Sequence, residues 1–314
     1  MTRNPSPLRY PGGKFKICKL IELLVRKSNA PCECYIEPFA GGAGVALQLL
    51  LDGVVRRIVI NDSDRAISSI WKAATQETDE FVDRINQIEL SLAEWNRQRE
   101  IYFRSPKYSF DYGFAAFYLN RTNHSGILSA GPIGGRAQRG LTLEARFNRT
   151  GLADRVRTIG EHRDCIKVYN RDVFSFIRNQ LPRQGRNAFV YFDPPYYRRG
   201  KVLYQNYFTR ARHEALKNAI LDIAQCPWIV TYDDVPEIRD IYRGVPCREF
   251  NLNYSLANNG TGREVMFFSS ARQMPTETDL ESIGMDRNFD FGSREPVASA
   301  HPGGGGTMRG YINP

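Results

Sequence analysis

The run Phe189-Val190-Tyr191-Phe192 leads without interruption into Asp193-Pro194-Pro195-Tyr196. Hydrophobic residues in that order read as a buried strand, but neither proline can donate a ladder hydrogen bond. The strand therefore ends at the acid. Beyond it lies a rigid turn carrying a carboxylate and an aromatic face. In an open α/β sheet such a turn lies at the carboxyl end of a central strand, where ligands bind.

The rest of the chain supplies that sheet. Strands are expected at Cys34-Ile36, Arg57-Asn61, Ile166-Asn170, Phe189-Phe192, Trp228-Tyr232, Arg248-Asn253 and Glu264-Ser269. Helices are expected at Lys16-Lys27, Val45-Leu51, Asp64-Ala74, Phe174-Gln180 and Arg212-Ala224. In the last of these, Leu216, Ala219, Ile220 and Ile223 form one stripe at helical spacing. Strands alternating with helices specify a mostly parallel sheet covered by helices. The final two strands follow one another across Ala257-Asn258-Asn259-Gly260-Thr261-Gly262, a turn-forming stretch that predicts an antiparallel hairpin at one edge.

Between residues 76 and 163 the alternation breaks into helical and loop-like sequence, including Gly131-Pro132-Ile133-Gly134-Gly135. That is too long for a plain connection, so an inserted domain is expected there. The core then comprises residues 1–75 and 164–270. From 271 to 314 apolar content falls and Gly303 to Gly306 follow one another, so a disordered tail is expected.

Net charge is +9. Arg97 to Arg157 holds eleven Lys or Arg against four Asp or Glu, so the insertion is the region that attracts a polyanion. No apolar run is long enough to span a bilayer. Met1-Thr2-Arg3-Asn4-Pro5 lacks the apolar stretch of a secretory signal, which places the chain in the cytoplasm with no membrane partner. Cys18, Cys32, Cys34, Cys165, Cys226 and Cys247 fit no zinc spacing, and neither they nor His124, His162, His213 and His301 suggest a metal site.

A second chemical segment is Tyr35-Ile36-Glu37-Pro38-Phe39-Ala40-Gly41-Gly42-Ala43-Gly44, a strand running through a glycine turn into a helix. Glycine there lets backbone approach a ligand closely. About twenty residues on, Asp62 ends the next strand, where an acid can accept from ribose hydroxyls. The alternative is a tight strand-to-helix turn with a capping Asp. A nucleotide P-loop is excluded at Gly12-Gly13-Lys14, because Phe15 replaces the required hydroxyl residue.

With a nucleoside-containing cofactor nearby, Asp193-Pro194-Pro195-Tyr196 suits an exocyclic base amine. Such an amine delocalises its lone pair into the ring. Accepting its hydrogens with the Asp193 carboxylate and the Pro194 carbonyl localises that pair. Stacking on Tyr196 contributes about 1–3 kcal/mol, against a few kcal/mol for extruding the base. Adenine N6, cytosine N4 and RNA bases all fit this local chemistry. A silent nucleic-acid-binding protein would need neither segment, and no hydride-transfer residues accompany the glycine turn.

Taken together, these segments resemble the Dam-like (D12 class, alpha-type motif order) DNA adenine-N6 methyltransferases over about residues 7 to 270. Leu8-Arg9-Tyr10-Pro11-Gly12-Gly13-Lys14 looks like the N-terminal aromatic-x-Gly-Gly-Lys box of that family. Phe117-Tyr118-Leu119-Asn120-Arg121-Thr122, Ser125-Gly126 and Arg146-Phe147-Asn148 look like its recognition-domain signature.

The resemblance implies a Rossmann-like S-adenosyl-L-methionine-dependent core with a helical target-recognition insertion, transferring methyl to adenine N6 of a flipped-out base. Asp193, Pro194, Pro195 and Tyr196 are then catalytic. Tyr10, Lys14, Glu37, Phe39, Gly41, Asp62, Asp172 and Asp193 hold the cofactor, with Asp172 near its adenine. Arg9, Asn120, Arg121, Asn123, Ser125, Arg136, Arg146 and Asn148 contact DNA. Double-stranded DNA is the implied partner, a cognate restriction enzyme is a candidate second one, and a monomer is expected. Ala43 stands where many relatives have a second turn glycine, which implies a small shift in the turn with binding retained. Asp193→Ala is expected to abolish transfer and leave cofactor affinity within a few-fold.

Overall fold

The computed structural model describes residues 4–10, 13–28, 32–104, 107–198, 208–223, 226–253 and 261–285. Seven strands form one sheet: β1 (Cys34–Glu37), β2 (Arg57–Asn61), β3 (Ile166–Tyr169), β4 (Ala188–Phe192), β5 (Trp228–Asp233), β6 (Cys247–Asn253) and β7 (Thr261–Phe268). Their order is β3-β2-β1-β4-β5-β7-β6. The first five run parallel, and β7 is antiparallel to both β5 and β6. The expected edge hairpin is therefore present, although residues 254–260 of its connection lie outside the described residues.

Alternation along the strands builds two cores. On β4, Phe189 and Tyr191 point into one apolar cluster, while Val190 and Phe192 point into the other. The first cluster lies under α1 (Cys18–Arg26), α2 (Gly44–Leu51) and α3 (Arg65–Gln76). Both faces of β1, β2, β4 and β5 are covered, which is why their cores read as continuous hydrophobic runs, whereas the edge strand β3 exposes Lys167.

Four helices occupy the segment between α3 and β3: α4 (Thr78–Gln87), α5 (Leu92–Arg104), α6 (Phe110–Thr122) and α7 (Arg149–Glu161). Helix α6 is buried on nearly all sides. It crosses α3 at Gly113, where a Cβ would sit 2.7 Å from the Ser69 carbonyl oxygen, so only glycine permits this approach. Phe81 stacks edge-on against Phe114 and Phe117 at 5.4 and 5.0 Å between centroids. These rings share one continuous cluster with Tyr35, Ile58 and Ile60 of the sheet. The helical segment is thus a layer built on one sheet face, with no core of its own among the described residues.

The second cluster lies under α8 (Val173–Asn179), α9 (Arg210–Leu221) and α10 (Pro236–Ile241). The helix expected at 16–27 begins with a 3-10 turn, Lys14–Ile17, before α1. Helix α9 starts earlier than expected because Thr209 caps it, its hydroxyl accepting from the Arg212 amide.

One correction concerns the tail. Residues 271–285 belong to the folded chain, with α11 (Glu277–Ser282) closing it. Thr276 and Asp279 form a reciprocal capping box, Leu280 is buried, and Lys27 pairs with Asp279. A short capped helix with one buried leucine needs little apolar content to dock. Residues 286–314 lie outside the described residues. No helix among the described residues is long and apolar enough to cross a membrane.

Candidate active site

Strand order reverses between β1 and β4, so their connections leave in opposite directions and open a crevice at the carboxyl ends. The glycine turn after β1 and Asp193 after β4 meet at that crevice. Gly41 adopts φ +46°, and a Cβ there would lie 2.6 Å from the Tyr10 ring. The Tyr10 ring thus closes on the turn, which explains why position 41 is glycine. The Gly41 amide donates to Asp62 Oδ2 at 2.9 Å, and Trp71 Nε1 donates to the Gly41 carbonyl at 2.9 Å.

Ala43 also sits in the left-handed region, at φ +44°. Alanine is accommodated there at the cost of backbone strain. Asn61 ties the strand ends together, donating to the Pro38 carbonyl at 2.9 Å and accepting from the Arg171 amide at 3.0 Å.

Two acids face this turn with their pKa values raised. Burial pushes Glu37 up to about 8, with the Asp193 charge adding to it. Burial pushes Asp62 up to about 7, countered by the amides of Asp64 and Gly41. Phe39 is half-buried, with its ring 6.1 Å from that of Phe208. Asp172 is exposed; it caps α8 through the Phe174 amide at 3.0 Å and pairs with Arg212. Asp62 retains lone pairs beyond the amides it binds, so this donor set fits a nucleoside with free hydroxyls.

The second half of the site is more tightly wired. Asp193 Oδ2 accepts from Lys14 Nζ at 2.9 Å, and Oδ1 accepts from the Thr231 hydroxyl at 2.9 Å. Lys14 is buried, and its ammonium lies 4.8 Å from the centroid of the Tyr196 ring. Strand β5 brings two polar residues to the same face. Thr231 meets Asp193, and Asp233 accepts from the backbone amides of Tyr197 at 2.9 Å and Arg198 at 3.0 Å.

The Tyr196 hydroxyl is buried toward Glu264 of β7; burial and the charges of Glu264 and Asp193 hold its pKa well above the ordinary value. Glu264 stands opposite Asp233 in the strand register. Thr231, Asp233 and Glu264 surround the Asp193 turn, and sequence reasoning missed all three. Their only signal was polar residues at alternate positions near the ends of two predicted strands. Pro11 and Gly12 of the N-terminal box lie outside the described residues.

The eight residues expected to meet DNA divide by burial. Asn120 is 1% exposed: its side chain accepts from the Arg9 amide at 2.8 Å and donates to the carbonyls of Arg9 at 2.8 Å and Gly126 at 2.9 Å. Asn123 is fully buried, accepting from Trp95 Nε1 at 2.7 Å and donating to Ile127 and Leu128 at 3.0 Å. Both amides are spent on the fold, which corrects their assignment as base contacts. Arg9 and Arg121 are half-buried and hold the carbonyls of Asn123 and Arg146. Ser125, Arg136, Arg146 and Asn148 are exposed. Of these, Asn148 caps α7, accepting from the Gly151 amide at 3.2 Å, and Ser125 adopts φ +54°.

Comparison with known proteins fits this geometry. The model of the D12 class N6 adenine-specific DNA methyltransferases matches residues 10–256. The chain is 25% identical over 204 residues to the Type II methyltransferase M.MjaIII of Methanocaldococcus jannaschii, covering 60% of this chain and 68% of that protein. Among solved structures it is similar to the rRNA methyltransferase aviRa of Streptomyces viridochromogenes, at 13% identity and a TM-score of 0.41. That alignment covers 84% of this chain and 88% of the other. The family match spans the glycine turn, the helical layer and the Asp193 turn, and the chain belongs to the D12 class of N6 adenine-specific DNA methyltransferases.

Proposed function

We propose that the methyl donor is S-adenosylmethionine, held over Phe39 to Gly44, and that adenine N6 is presented to it by Asp193, Pro194, Pro195 and Tyr196. The observation that carries this reading is the placement of the Asp193 carboxylate. It is fixed through both oxygens at 2.9 Å, across the crevice from a glycine turn flanked by buried acids. Asp62 is positioned for ribose hydroxyls, Asp172 for the adenine end, and Glu37 for the positively charged part of the donor. Tyr10 and Lys14 close the site from the N-terminal side.

When bound, the cofactor supplies an electrophilic methyl whose carbon–sulfur bond breaks as the carbon–nitrogen bond forms, the electron pair returning to sulfur. Asp193 Oδ2 and the Pro194 carbonyl accept the two N6 hydrogens and turn the lone pair out of the ring plane. Tyr196 stacks on the flipped base, and its buried hydroxyl keeps the ring from rotating away. Lys14 leans on that ring in the free protein and must yield or share its place when the base enters. After transfer, N6 loses one proton through Asp193.

The helical layer, residues 76–163, is proposed as the target-recognition region. Arg136, Arg139 and Arg146 are exposed around its glycine-rich loop and suit phosphate contact. By extension from the relative named a Type II methyltransferase, the partner of this chain is a restriction nuclease blocked by the same methylation.

Calorimetric titration separates the two halves of the site. S-adenosylmethionine is expected to bind the wild type and Asp193→Asn within a few-fold of each other, and Asp62→Ala far more weakly. Asn is preferred to Ala at 193 because its amide keeps the shape and one oxygen acceptor beside the buried Lys14 ammonium, whereas Ala removes the acceptor altogether. Full affinity in Asp62→Ala counts against this placement of the cofactor.

A further inference from the structure

Strand β5 sets a buried hydroxyl, that of Thr231, against the Asp193 carboxylate. The register pairs Phe192 of β4 with Val230 of β5, so the next residues, Asp193 and Thr231, stand side by side on the same face. The Thr231 side chain is fully buried. Its oxygen lies 2.9 Å from Asp193 Oδ1 and 2.9 Å from the Tyr191 hydroxyl.

The direction of these bonds follows from proton inventory. A hydroxyl has one proton to give, and an ionised carboxylate only accepts. The Thr231 proton therefore goes to Asp193, and Tyr191 must donate to the Thr231 oxygen. Burial holds the Tyr191 hydroxyl well above its ordinary pKa, so it keeps the proton this chain requires. The result is a directed chain, Tyr191 to Thr231 to Asp193, running from the core to the site.

We infer that Thr231 is a positioning residue for methyl transfer: it commits Oδ1 of Asp193 to the sheet and thereby leaves Oδ2 as the oxygen that meets the target amine. This rests on the reading of Asp193 as the group that accepts the N6 hydrogens.

The carboxylate torsion of Asp is broad, without sharp staggered wells, so the side chain does not orient its own oxygens. Thr is β-branched and stiff about its first torsion, and here it is held in a buried strand. Its hydroxyl is therefore a fixed point against which the carboxylate is set. Lys14 meets Asp193 through Oδ2, the oxygen on the substrate side, and sits where the base must come. Once the base enters, Thr231 is the partner that still defines the plane of the carboxylate.

The test is single-turnover methylation of an unmethylated duplex with Thr231→Val and Thr231→Ser, alongside cofactor titration and thermal unfolding. Thr231→Val is expected to slow the transfer step by about 10- to 100-fold, the size of one lost hydrogen bond to a charged group. Cofactor affinity and KM for DNA stay within about threefold, and Thr231→Ser recovers the rate to within about threefold. A folded Thr231→Val enzyme with the wild-type rate overturns the inference, as does a Thr231→Ser enzyme no faster than Thr231→Val.

Tyr191→Phe reads the same chain one link further back, with the ring retained in the core. It is expected to slow transfer in the same direction by a smaller factor. Should Thr231→Val not fold, a wild-type rate in Tyr191→Phe overturns the inference by itself. Asp193→Asn separates the role of Asp193 from that of Thr231. If it retains full activity, the reading of Asp193 fails. If it is inert while Thr231→Val is fast, only the role of Thr231 fails.

Discussion

Asn120 offers the sharpest contrast between a residue that reads DNA and one that builds the protein. In the structure its amide bridges the N-terminal segment to the loop after α6 through three hydrogen bonds of 2.8 to 2.9 Å. Asn120→Ala leaves one amide and two carbonyls without this side chain in a largely buried site. Gly126 packs closely on the same segment, since a Cβ there would lie 2.5 Å from the Arg9 carbonyl oxygen. At about 1 kcal/mol or more for each unmade bond, the variant is expected to lose about 3–5 kcal/mol of stability. Urea unfolding followed by far-UV circular dichroism reads this as a lower midpoint at unchanged slope. The recognised DNA sequence, mapped on whatever activity remains, stays the same. A stability loss below about 1 kcal/mol together with relaxed sequence preference would refute the reasoning and return Asn120 to the DNA interface.

Ala43→Gly relieves a left-handed alanine and is expected to stabilise the protein by up to about 1 kcal/mol, with cofactor affinity unchanged; a loss of stability there contradicts the strain. Glu37 and Asp62 hold protons in the folded chain up to about 8 and about 7, whereas the unfolded chain releases them near the ordinary carboxylate range. The contribution of these two acids to the stability of the ligand-free protein is therefore fully present below the ordinary carboxylate range and is lost as pH rises through about 8. The window from 6.5 to 8 isolates these two acids, since buried His213, depressed to about 4, titrates below it. Denaturation midpoints that rise across that window contradict the burial of these acids. Arg136→Ala is expected to weaken binding to all duplexes alike and to reduce the slope of log affinity against log salt by about 1; loss of preference at one base position points instead to direct readout.

Much of the fold was legible because it rests on local rules. Strand β2 runs from Arg57 to Asn61 as read, since a β-branched run bounded by polar residues has few other conformations. The Asp193-Pro194-Pro195-Tyr196 turn was legible for a covalent reason, the missing proline N–H. Thr231, Asp233 and Glu264 were not, because their meaning depends on which strand lies beside which. In sequence, Glu264 is a charged residue in an expected edge hairpin; in the fold it faces Tyr196. Asn120 and Asn123 were misread for a related reason. A helix end rich in Asn and Arg looks the same whether its amides face a groove or the protein's own carbonyls. The docked segment at 271–285 was hidden by averaging, although Thr276-Glu277-Thr278-Asp279 carries the capping-box spacing that marks a helix start.

The most direct test of the account is to incubate unmethylated plasmid with S-adenosylmethionine and either the wild type or Asp193→Asn, digest the DNA to nucleosides, and identify the methylated species by mass spectrometry. The account predicts N6-methyladenine with the wild type and none with Asp193→Asn. N6-methyladenine at equal levels with both proteins, or a methylated base other than adenine, would contradict it.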